Sequence, residues 1–197
     1  EPIMANPDTP RGLIPVGFVG GGPYNGAFRE YSVAAGNGVA IFVGDPVTTA
    51  AVGTAQTING KVMLDVVQAA TGDIQTGVVV GVKPDTANSL PYRAASTQRV
   101  LYVADDQNLI FEIQEVSGGT ALTANDLGLN ADFVVGTGST TTGYSGVELN
   151  NVGEAGTNTL DLKLIAFKNA PDNAIGENAK WLVRINRHRH VNQIAGI

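Results

Sequence analysis

Cysteine is absent from the 197 residues. That excludes a disulfide framework, a thiolate zinc site, an iron–sulfur cluster and a cysteine nucleophile. Histidine is nearly absent: His188 and His190 are the two present. Both stand in a basic tail, where neighbouring arginines oppose protonation of the imidazole. A Ser-His-Asp arrangement therefore lacks a placed base, and Gly143-Tyr144-Ser145-Gly146 is not a G-x-S-x-G elbow. Charge is sparse at 15%, against roughly 25% in average soluble chains. Long apolar runs are missing too; Val39–Val43 is of strand length, far from the ~20 residues of a membrane helix. Phosphate loops fail at defined positions: Gly60-Lys61 is followed by Val62, and Gly20-Gly21-Gly22 has Asn25 where the dinucleotide fingerprint needs glycine. Aromatics are few for a sugar cleft lined by paired carboxylates. The expectation is a protein that is not an enzyme and carries no cofactor and no metal.

What is present is 43% hydrophobic residues, enough for a core, together with 25 glycines and 9 prolines. The net charge of −6 argues against nucleic acid as a partner. The start lacks a secretory signal, and Met4-Ala5 reads as a natural start behind a three-residue remnant, Glu1-Pro2-Ile3.

Residues 1–35 read as an extended Pro/Gly-rich arm, and 36–197 as one β-rich domain. Pro7, Pro10, Pro15 and Pro23 oppose a long helix in the arm. Yet it carries Leu13, Ile14, Val16, Phe18, Tyr24, Phe28 and Tyr31, more apolar surface than a free linker needs. The arm packs either on its own domain or on a partner, and these seven residues are the candidate partner contacts. Beyond it come short strand patterns: Val39–Val43, closed by Gly44-Asp45-Pro46; an alternating Lys61–Gln68; Val78–Val80; Leu160–Leu164; and Trp181–Asn186, with Trp181, Val183 and Ile185 on one face. Arg99–Ala104 and Leu109–Val116, joined by Asp105-Asp106-Gln107-Asn108, read as a β-hairpin. Helix is limited to one or two short turns, Leu122–Gly128 with Thr123 as N-cap, and Asp172–Lys180. The fold expected is mainly β: an antiparallel barrel or jelly-roll-like sandwich.

Charge is unevenly placed. Between Arg99 and Lys163 there is no Lys or Arg but nine acids, whereas Lys180, Arg184, Arg187 and Arg189 follow Glu177 without an acid. Either this is solvated surface, with His188 and His190 in an exposed tail, or the acidic middle of one subunit meets the basic end of another. Arg184, Arg187 and Arg189 join the candidate partner contacts on the second reading.

The Pro/Gly-rich start, Val43-Gly44-Asp45-Pro46-Val47, the stretch 136–150 (GTGSTTTGYSGVELN) and the ending Asp172–Asn186 together resemble small structural proteins of tailed bacteriophages, of the capsid decoration or cement type. The last two stretches carry most of the likeness. The resemblance implies a protein of the virion's outer capsid surface, made in the host cytoplasm. Its partners would be the major capsid protein and itself, as a trimer, with no membrane and no nucleic acid. Two alternatives stand beside it: another virion component (tail tube, connector or minor capsid subunit), or a carbohydrate- or host-surface-binding module with an aromatic platform near Tyr144 or Tyr92.

Overall fold

The computed structural model describes residues 6–51 and 54–191. The suggested start at Met4-Ala5 and its preceding remnant lie outside the described residues. The architecture is mainly β with antiparallel sheets in a sandwich-like arrangement. Sheet A has five strands, ordered β1 (Ile14–Phe18), β9 (Leu109–Gln114), β14 (Lys180–Ile185), β13 (Leu162–Phe167) and β10 (Asn130–Ala131). Sheet B also has five: β2 (Arg29–Val33), β8 (Arg99–Ala104), β7 (Gly77–Val82), β3 (Pro46–Thr49) and β6 (Val66–Gln68). Two small ladders complete it, β4 (Ala55–Ile58) with β5 (Lys61–Leu64), and β11 (Phe133–Val134) with β12 (Glu148–Leu149).

Period-two patterning explains both layers. In sheet A, Leu109, Phe111 and Ile113 align with Trp181, Val183 and Ile185 and with Leu162 and Leu164, all buried. They form one core with Phe133 and Leu149 of the small ladder and with Val78 and Ala104 of sheet B. The opposite face of sheet B holds a second core, with Tyr31, Val79, Leu101 and Val103 against Ile41, Val47 and Val66. Sheet B curls so far that Ser32 of β2 bridges Asp65, just before β6. A single bridge is not a ladder, so no closed barrel forms; the sandwich is the form that fits.

The hairpin expected at 99–116 is not one. β8 lies in sheet B between β2 and β7, and β9 lies in sheet A between β1 and β14. The four residues 105–108 carry the chain from one layer to the other. Buried Asp105 fixes that passage, accepting a 2.7 Å hydrogen bond from the Tyr31 hydroxyl. The alternating run Lys61–Gln68 also divides, because buried Asp65 accepts from the Ser32 hydroxyl and the Gln56 amide and turns the chain between β5 and β6. Val62 consequently ends 71% exposed while Val66 is buried. Val39–Val43 makes isolated bridges rather than a strand, since its amides pair with Arg93 and with the 136–146 loop. Thr123 does cap a short 3-10 turn, Ala124–Asp126, in a reciprocal capping box with Asp126. Residues 172–179 turn without helix, held by the Asn173 side chain.

Candidate partner-binding surface

The proline- and glycine-rich start folds onto its own chain. β1 pairs with β9 at the edge of sheet A, and β2 pairs with β8 at the edge of sheet B. Just before β1, at Gly12, the backbone crosses the Gly44-Asp45-Pro46 turn, with Leu13 N–H donating to the Gly44 carbonyl at 2.9 Å. Gly44 sits at φ +99°, and a β-carbon there would lie 2.1 Å from the Arg11 carbonyl oxygen. Glycine is required by both the left-handed backbone and the crossing. The boundary drawn at residue 35 falls in the turn after β2.

The seven apolar candidates of the start therefore separate. Leu13 and Tyr31 are buried, one in each core. Ile14 is half-buried beside Glu112. Phe18 and Tyr24, also half-buried, pack against the first core and line a cleft of about 200 Å³ with exposed Phe28, Arg29 and Asp106 and buried Asp105 and Leu109. Phe28 lies on Tyr102, ring centroids 4.3 Å apart. Val16 is exposed in β1 and Val19 on the turn that follows it. The structure thus sets Phe18, Tyr24 and Phe28 around one cleft, with Val16 and Val19 exposed in the same segment. The segment needs little flexibility: Phe18 N–H donates to Gly22 and Tyr24 N–H to Val16, so the Gly20–Gly22 stretch is a hydrogen-bonded turn.

The basic candidates lie elsewhere. Arg184 is half-buried on β14 and reaches the Gln107 carbonyl; Arg187 reaches the carbonyls of Gly72 and Thr159. Arg189 donates its amide to the Gln75 carbonyl at 2.7 Å. β14, in the basic end, is hydrogen-bonded to β9, in the acidic middle, inside one chain, whereas Glu112 pairs with Lys168, which precedes the basic end. His188 is not in an exposed tail. It is 1% exposed, bridges Gln75, and accepts the His190 amide at Nδ1. Burial first, then the neighbouring His190, pulls its pKa down to about 4, so it sits neutral. Sequence spacing gave no sign of this, since its bridge partner Gln75 is remote in sequence.

Several buried polar residues went unmarked in the sequence. Glu115 is fully buried and accepts from Leu122 N–H (2.9 Å), Trp181 Nε1–H (2.9 Å) and the Asn151 amide (3.2 Å); burial pushes its pKa up. Asp161 accepts the Gly72 amide and lies beside Asp132, and burial pushes it up to about 6. Arg93, fully buried, donates to the carbonyls of Ala34, Asn37, Val39 and Thr97. Each ties segments of the fold together, and their donors and acceptors face one another rather than a cleft. Among the described residues no group of three His, Asp or Glu side chains is placed to hold a metal ion, and no helix is long and apolar enough to cross a membrane. Tyr144 is 39% exposed with the Arg11 guanidinium 5.2 Å above its ring, while Tyr92 stacks on Phe42. No protein family, curated protein or solved structure matches this chain.

Proposed function

We propose that this chain is a virion structural protein of the capsid decoration type, binding the outer surface of an assembled head and bridging major capsid subunits. The observation that carries the reading is the Val16–Phe28 segment: a Gly-rich stretch, held by β1 and β2, that exposes Val16, Val19 and Phe28 beside a cleft lined by Phe18 and Tyr24. Exposed aromatics on a rigid support are the residues that anchor protein interfaces at small entropic cost. The likeness of 136–150 and 172–186 to decoration proteins supports the same reading. A ligand that binds the assembled lattice and not the free subunit stabilises the lattice by mass action, and a trimer multiplies weak contacts. No reacting group is required of it.

Quantitative mass spectrometry of banded virions tests the proposal. The chain is expected at a copy number set by the three-fold sites of the head. Absence from the particle, or a ring stoichiometry in the tail fraction, overturns the decoration role.

A further inference from the structure

A second surface lies apart from that cleft. The inward residues of β9, β13 and β14 fill the first core, which leaves their alternate positions facing outward. Across the middle run Ile14, Glu112, Leu182 and Ala166, in register on β1, β9, β14 and β13. Ile110 and Ile165 extend the apolar members of this row, half-buried and 38% exposed respectively, while Glu112 within it is paired with Lys168. Neither core cluster covers it.

The charges around the row are mainly basic. Lys163 and Arg184 face each other across β13 and β14, Lys180 stands at the opposite end of β14, and Lys168 follows β13. In β9, β13 and β14 together the single acid is Glu112, paired with Lys168; from outside these strands Asp8 and Glu148 accept from the Gln114 amide at the Lys180 end. At the Lys180 end the face opens into a cleft of about 250 Å³ that Arg11, Lys168 and Lys180 line with Glu112 and Gln114. All this stands on a chain of net charge −6. The geometry points to the outward face of sheet A as a docking surface for a protein partner that presents carboxylates around an apolar centre. Such a partner is repelled by the chain's overall field and admitted at this face, so the charges set its orientation while the apolar row supplies contact. The inference does not depend on which assembly the chain joins.

The test is a titration of the isotopically labelled full chain, followed by amide NMR shifts. The probe is a capped peptide of alternating Glu and Val; a Lys–Val peptide and a DNA duplex are the comparisons. The Glu peptide is expected to shift amides of β9, β13 and β14 and to bind roughly tenfold more weakly to the Lys163→Glu, Lys180→Glu double variant. Both lysines are partly exposed, so the variant should keep its melting temperature; should it not fold, the two single variants, each several-fold weaker, carry the comparison. Shifts elsewhere or none, equal binding of the Lys peptide or the duplex, or self-association that covers this face would overturn the inference. Peptide binding here with absence from virions would instead fault the decoration reading alone.

Discussion

At the scale of single residues, the fold is held by a few buried charges whose partners are backbone groups. Arg93 joins four carbonyls from two loops with no carboxylate nearby in its bonding. Lysine offers a charge without the planar fork. Arg93→Lys is therefore expected to lose about 2 kcal/mol of stability, read by urea unfolding, because buried carbonyls are left without donors. Asp161 gives a pH signature. Its folded pKa, about 6, stands above the ordinary 3.8, so the folded state holds this proton more tightly. The contribution is complete below the unfolded value and is lost as pH rises through the folded one. Against Asp161→Asn, wild type should lose about 3 kcal/mol of relative stability between about pH 3 and pH 7. A flat difference would place Asp161 in contact with water. None of this was legible in the sequence: Glu115, Asp161 and Arg93 look like ordinary surface charges until distant segments enclose them. Trp181 was legible, because its apolar neighbours alternate along β14.

At the scale of elements, strands were easier to read than their partners. Alternation marks a strand and its buried face, and β9, β13 and β14 follow it. It says nothing about which strand lies alongside. The polar loop at 105–108 suits a hairpin or a passage between layers equally well, and only the Tyr31–Asp105 bond and the outer pairings of β8 and β9 decide. Short apolar runs misled for a related reason. Val39–Val43 has the composition of a strand, yet Arg93 and the 136–146 loop take its backbone groups. The start of the chain offers an element-scale test. Gly44→Ala should cost about 3 kcal/mol or more, since a β-carbon both strains the left-handed backbone and meets the Arg11 carbonyl. Trypsin should then cut after Arg11 faster than in wild type, while the β9–β14 amides stay protected from exchange. Unchanged cleavage would mean that the crossing does not hold the start in place.

At the scale of the whole molecule, two cores share sheet B, and the start of the chain closes an edge of each sheet. Free sheet edges invite pairing with other chains, and here the β1 edge is covered by the 22–24 turn while β2 meets Asp65. What remains for recognition is side-chain surface: the Val16–Phe28 segment and the basic face of sheet A. Removing residues 4–30 would strip β1 and Leu13 from the fold, so recognition has to be probed by surface substitution instead. Val19 is 51% and Phe28 47% exposed, and replacing both with aspartate should leave the cores intact. Co-sedimentation with heads that lack this protein measures the central claim directly. Wild type should bind saturably, and Val19→Asp, Phe28→Asp, with an unchanged melting temperature, should bind at least tenfold more weakly. Equal binding by the two proteins, or none by either, would contradict an account in which this segment grips an assembled shell.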